Sequence, residues 1–199
     1  MNRNEHLIDP HYKHRTTLFE KSIAPEGAIV FLGDSITEMC EWQEFFPGET
    51  ILNRGISGDS TFGVIDRLEG IINLQPKKIF ITIGVNDLQR QYPKETVINN
   101  IKKTANILLA ETKSKIYLQS ILPVIEKKLQ TGIKNSTIDL VNDELRKFSE
   151  EDNIEFIDNN KLMKDSSGNL NQDLSSDGLH LNGEAYRLWI ENIRSKVND

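Results

Sequence analysis

A chain of 199 residues with 37% hydrophobic residues, 27% charged residues, 12 glycines and 6 prolines has an ordinary globular make-up, which excludes global disorder, collagen-like repeats and low complexity. Its formal charge of −6 argues against nucleic acid as the main partner, because a phosphate-binding surface needs a basic excess. Cys40 is the only cysteine, so neither an intrachain disulfide nor a cysteine-based zinc site is available.

The first thirty residues hold no apolar stretch of the kind a signal peptide needs, and no 18-residue apolar run occurs anywhere in the chain. A cytoplasmic protein with no membrane span is the expectation. Residues 1–25 read as a polar arm packed on a single domain that occupies residues 1–199. Five short apolar runs then follow: Ala28–Leu32, Thr50–Asn53, Lys78–Ile83, Lys115–Leu118 and Ile154–Ile157. They are β-branched or aromatic and read as strands buried on both faces. Helical patterns lie between and after them, at Ile36–Phe46, Thr61–Leu74, Lys94–Thr112, Asn135–Glu151 and Gly183–Val197. In the third, Val97, Ile101, Ala105 and Leu108 share one face. Strand–helix alternation predicts an α/β fold with a five-stranded parallel sheet and helices on both sides; the strand order taken as the expectation is 2-1-3-4-5, one of the common doubly wound orders.

Open parallel sheets hold ligands beyond the carboxyl ends of their strands. Gly33-Asp34-Ser35 follows the first run, Arg54 to Asp59 the second and Gly84 to Asp87 the third; the segment after the fifth ends in Asp177-Gly178-Leu179-His180. A serine hydroxyl becomes a competent nucleophile beside a histidine that a carboxylate orients. Ser35 sits at a strand-to-helix turn. Of the four histidines, His6, His11 and His14 lie in the amino-terminal arm, leaving His180, with Asp177 three residues before it. The Ser35 backbone N–H, a bare Gly58 N–H and the Asn86 amide are candidate donors to an oxyanion.

The blocks FLGDSIT, NRGISGD, IGVND and DGLHL, in that order, resemble the four signature blocks of the SGNH (GDSL) hydrolases. The likeness runs from Asp9-Pro10-His11-Tyr12 through Leu122-Pro123 to Ala185-Tyr186-Arg187-Leu188-Trp189. It is nearest the small single-domain branch of platelet-activating-factor acetylhydrolase subunits and bacterial acetylesterases. The resemblance implies a three-layer flavodoxin-like fold and ester hydrolysis through a serine acyl-enzyme, with no metal and no cofactor. By match, Ser35 is the nucleophile, Asp177 and His180 complete the triad, and Ser35, Gly58 and Asn86 form the oxyanion hole. The expected partner is a small-molecule ester, with a homodimer allowed.

Competing readings exist for several of these residues. Asn86-Asp87 alone reads as an Asx turn and Gly58 as a left-handed backbone position. Trp42 and Trp189 read as core, Asp34 as a residue that orients the site loop, and Arg54 and Arg67 as structural pairs rather than anion contacts. Asp173-x-Ser175-x-Asp177-Gly178 with Glu184 approaches a calcium-loop pattern, but the Gly-, Ser- and Asn-rich stretch before it does not read as the required helix. A dehalogenase-type phosphatase needs a second acid two residues after Asp34, where Ile36 stands. Thioester or lysophospholipid hydrolysis would use the same machinery, and a catalytically silent binding module is the alternative of a different class. The polar segment Lys127–Asn135, read as a mobile cover, favours a short acyl group on a soluble alcohol.

Overall fold

The computed structural model describes residues 3–150 and 154–199. Its sheet consists of β1 (Ile29–Gly33), β2 (Ile51–Gly55), β3 (Lys78–Thr82), β4 (Lys115–Gln119) and β5 (Ile154–Ile157), all parallel, in the order β2-β1-β3-β4-β5. The strand boundaries shift by one or two residues from the apolar runs, because pairing continues into polar strand ends such as Arg54-Gly55 and Gln119.

Alternation along the strands divides the core. Phe31, Phe80 and Tyr117 are cross-strand neighbours on one face, stacked at 4.8 and 4.4 Å between ring centroids. Trp42 stacks on Phe31 at 3.9 Å and meets Trp189 edge-on at 5.2 Å. Both indoles are buried, as expected for core residues. Val30, Leu32, Ile79, Ile81, Ile116 and Leu118 fill the alternate positions, and each such side chain taken from water contributes roughly 1.5–3 kcal/mol.

The helices are α1 (Pro10–Lys21), α2 (Ser35–Glu38), α3 (Trp42–Phe45), α4 (Thr61–Asp66), α5 (Leu68–Ile72), α6 (Val85–Gln89), α7 (Lys94–Glu111), α8 (Asn135–Phe148), α9 (Asn159–Met163) and α10 (Gly183–Asn198). The last residue of the predicted Asn135–Glu151 helix lies outside the described residues. No helix among the described residues is long and apolar enough to cross a membrane.

Two predicted helices are each broken in two by side chains that claim backbone groups. Asn53 Nδ2 donates to the carbonyls of Thr37, Glu38 and Cys40 at 3.0–3.1 Å, which ends α2 and separates it from α3. Arg67 stands between α4 and α5, its guanidinium drawn onto Asp59 and the carbonyls of Arg54 and Gly33. The amino-terminal arm holds a helix that hydrophobic periodicity does not show, since Tyr12 is the one buried residue of α1. Its start is local chemistry: Asp9 accepts from the N–H groups of His11 and Tyr12, and Pro10 occupies the first turn. A 3-10 turn, Glu5–Ile8, precedes it. The Tyr12 hydroxyl donates to Gly63 O at 2.8 Å and His6 Nε2 lies 2.8 Å from Asp66, which ties the arm to α4.

Candidate active site

β1 delivers Ser35 to the edge of the sheet. The Asp34 carboxylate accepts the Ile36 N–H at 3.0 Å and caps α2, so Ser35 opens the helix and is only 4% exposed. Asp34 therefore orients the turn, as the sequence suggests. Burial raises its pKa to about 7, against the Ile36 hydrogen bond and with further upward push from Asp59 and Asp87. The Tyr186 hydroxyl, from α10, donates to Ile36 O at 2.7 Å and pins the same turn from the other side.

His180 arrives from a loop 145 positions later in the chain, and its Nε2 lies 3.0 Å from Ser35 Oγ. Its Nδ1 is 2.7 Å from Asp177 Oδ2. With Nδ1–H donating to the carboxylate, Nε2 is the acceptor for the serine hydroxyl. Asp177 Oδ1 also accepts the N–H groups of Leu179 and His180 at 2.9 and 2.8 Å. Partial burial pushes this carboxyl upward, but the hydrogen bonds from the His180 ring and from those two N–H groups outweigh it and hold the acid well below the usual range. Asp177 is an anion at neutral pH.

The loop that carries the pair is held from the β4–α8 connection. Ile125 N donates to Gly178 O at 2.9 Å, and Lys128 Nζ to Ser176 O at 2.9 Å. Gly178 has φ +90°, and a Cβ there would lie 2.9 Å from Lys128 Cβ. Only glycine fits. Lys128, within the segment read as a mobile cover, thus braces the histidine loop.

Gly58 lies after β2 with φ +76°, and Asn86 in the first turn of α6. Among the described residues neither the Ser35 nor the Gly58 N–H donates to another group. Asn86 Nδ2 donates to Asp59 O at 2.9 Å instead of capping its own turn, so the Asx-turn reading does not describe it. One of its two amide hydrogens is used there, leaving the second for a ligand.

The bracing of the 55–59 loop is invisible in the sequence. Glu38 accepts the Ser57 N–H at 2.6 Å and the Ser57 hydroxyl at 2.5 Å, and pairs with His11 and Arg15 of α1. Arg90 Nη2 donates to Gly58 O at 2.7 Å. Arg67 makes a buried ion pair with Asp59 at 2.9 Å, and Asp87 accepts the Thr61 N–H and hydroxyl. No block singles out Glu38 or Arg90. Their partners come from other segments, and only the fold brings them together.

The calcium-loop pattern does not form a cation site. Asp177 is turned onto His180 and Ser175, Asp173 stands in a short 3-10 turn, and no three His, Cys, Asp or Glu side chains cluster as a metal site would need among the described residues.

A family model described as the GDSL-like Lipase/Acylhydrolase family matches residues 31–188. The chain belongs to this family. Its five parallel strands, in the order β2-β1-β3-β4-β5, match the sheet of the GDSL/SGNH proteins it resembles. It is 28% identical over 169 residues to the platelet-activating factor acetylhydrolase IB subunit alpha2 of Homo sapiens, covering 81% of this chain and 72% of that one. It is also 28% identical over 177 residues to an N-acylneuraminate cytidylyltransferase of Streptococcus agalactiae, covering 85% of this chain but only 40% of that protein. The chain thus spans about two-fifths of the length of that longer relative. Among solved structures, a GDSL-like lipase of Bacteroides thetaiotaomicron superposes with a TM-score of 0.83 at 26% identity, covering 99% and 98% of the two chains. An acetylxylan esterase of Geobacillus stearothermophilus shares the fold, with a TM-score of 0.68 at 19% identity over 88% and 95% of the chains.

Proposed function

We propose that this hydrolase cleaves short-chain esters, chiefly acetyl esters, of carbohydrates or other small soluble alcohols through an acyl-enzyme on Ser35. The observation that carries the reading is the continuous relay from Ser35 Oγ to His180 Nε2 at 3.0 Å and from His180 Nδ1 to Asp177 at 2.7 Å. His180 takes the hydroxyl proton as Oγ attacks the ester carbonyl, and Asp177 stabilises the imidazolium that forms. The unclaimed N–H groups of Ser35 and Gly58 and the free hydrogen of the Asn86 amide hold the oxyanion. The alcohol departs with the proton from His180. Water, deprotonated by the same ring, then attacks the acyl-enzyme and releases the acid. No step calls on a metal, so an assay with EDTA is expected to show an unchanged rate.

Two features support a short acyl group and a soluble alcohol. The loop that borders the histidine, residues 126–134, is rich in lysine and other polar side chains. A relative over most of this chain is named for acetyl hydrolysis. Replacing Ser35 by Ala removes turnover of p-nitrophenyl acetate, whereas a purified Ser35→Ala protein that retains the wild-type rate disproves the assignment. Acetylated sugars, acyl-CoA and lysophospholipids tested side by side define the alcohol, and a higher rate on long-chain lipid emulsions than on acetyl esters overturns the preference stated here.

A further inference from the structure

Three arginines meet where α1 crosses the end of β2. Arg15 pairs with Glu38 at 3.0 Å and Arg67 with Asp59 at 2.9 Å. Arg54 has no carboxylate among the described residues. It is the fourth residue of β2, on the sheet face that carries Leu32, and it is only 7% exposed. Its guanidinium lies over the Phe19 ring, 4.6 Å from the centroid, with Arg15 4.8 Å from the same ring. The one hydrogen bond it donates among the described residues is long, from Nη1 to Asn53 O at 3.3 Å. Burial, with Arg15 and Arg67 nearby, lowers its pKa to about 10, which leaves it charged at neutral pH. Most of the Arg54 N–H fork is without a protein partner among the described residues, and a guanidinium fork binds oxyanions in strong, bidentate hydrogen bonds.

Arg54 lines a cavity of about 620 Å³ between α1 and the α4–α5 segment, a volume within the range of small-molecule sites. Its walls include Tyr12, Phe19, Ile71 and Leu74, while Glu20 and Glu69, both exposed, also border it. The cavity contains none of Ser35, Gly58, Asn86, Asp177 and His180. A cation without a carboxylate partner sits beside an apolar wall, and exposed carboxylates repel a second negative charge on the ligand.

We infer that this cavity binds a small organic monoanion, a carboxylate on a compact apolar body, with its oxygens on the open fork of Arg54 and its body against Phe19, Ile71 and Leu74. This site is separate from the ester-hydrolysing one and does not depend on it.

Isothermal titration of the full chain with benzoate, and separately with inorganic phosphate at pH 8, tests the inference at low ionic strength. Benzoate binds wild type and Ser35→Ala alike, and binds Arg54→Gln at least tenfold more weakly. Phosphate, a dianion at that pH, binds at least tenfold more weakly than benzoate. Glu69→Lys, an exposed change that leaves Arg54 in place, tightens benzoate binding several-fold and keeps the test open should Arg54→Gln fail to fold. Absence of benzoate binding to wild type, equal binding to Arg54→Gln, or no response to Glu69→Lys overturns the inference. Loss of binding in Ser35→Ala alone assigns benzoate to the ester site and overturns it equally, and phosphate binding as tight as benzoate removes the monoanion assignment.

Discussion

Ser35 and His180 stand 3.0 Å apart, yet the regions that deliver them are built by different means. The serine turn is a continuation of the core: Asp34 caps it from within, Tyr186 holds it from α10, and Arg67 anchors the preceding Gly33 carbonyl at 3.0 Å. The histidine loop is a surface feature, with the Asp177 side chain 51% exposed and the His180 side chain 32% exposed. A glycine in the left-handed region and a few hydrogen bonds, chiefly from Ile125 and Lys128, hold it in place. The nucleophile is therefore fixed by interactions that also hold core elements together, whereas the base, though its loop packs Leu174 and Leu179 on the core, is oriented by a few hydrogen bonds of that loop. Changes in the second region should cost rate without costing stability.

Asp177→Asn gives the largest effect. The asparagine still accepts the Leu179 and His180 N–H groups, but its amide faces Nδ1 and imposes the wrong ring tautomer, so kcat falls roughly 10⁴-fold while the melting temperature stays close to wild type. A fall in stability to match the fall in rate would erase the distinction between the two regions. Asn86→Ala comes next, with a loss of roughly 10²–10³ in kcat, the usual cost of one oxyanion donor. Steady-state kinetics that show an unchanged kcat would reduce Asn86 to a brace for Asp59. Gly178→Ala sharpens the contrast most directly. A Cβ meets Lys128 and the backbone is left-handed, a strain of ~1–2 kcal/mol that the loop relieves by moving, and kcat drops about tenfold. Calorimetry should record little change in stability for this variant; full activity would show that the loop tolerates the shift.

The smallest effect concerns Asp34, on the core side. Its folded pKa of about 7 stands above the ordinary carboxylate value of 3.8, so between these two pH values the native chain holds a proton that the unfolded chain has lost. The stability that this proton contributes is fully present below the unfolded value and is lost as pH rises through about 7. Asp87, raised by burial to about 6, adds the same sign. Asp34→Asn, which keeps a cap for Ile36, should flatten the decline in melting temperature between pH 5 and 8. Parallel curves for the two proteins would mean that Asp34 ionises as an ordinary surface acid does.

The same division explains what the sequence reveals. Short buried strands announce themselves through runs such as Ile79-Phe80-Ile81, and the residues just beyond them are the candidates for chemistry, so the parallel sheet and the pairing of Ser35 with His180 can be expected from pattern and position. The strand order, by contrast, is chosen among those that alternation allows. What escapes is whatever polar side chains build across distance. Nothing local in α1 marks it as a helix except Asp9-Pro10, because its one buried side chain, Tyr12, leaves no periodic stripe. The breaks at Cys40 and Arg67 depend on Asn53 reaching back to α2 and on Arg67 reaching to Asp59. Arg54 and Arg67 look equivalent in the sequence, and both read most simply as structural pairs. Only the fold separates them: both line the same cavity, but Arg67 is paired with buried Asp59 while Arg54 has no carboxylate among the described residues.

The aromatic stack has a practical consequence for anyone who studies this protein by light. Both tryptophans of the chain, Trp42 and Trp189, touch each other on the face of the sheet that carries Phe31 and Phe80, and Arg54 is in register with Leu32 on the other. Indole emission will follow events around α3 and α10 and will be blind to a guest beside Phe19. A flat fluorescence titration is therefore the expected result whether that cavity is filled or empty, and a reporter placed on α1 or α5 is needed to watch it fill.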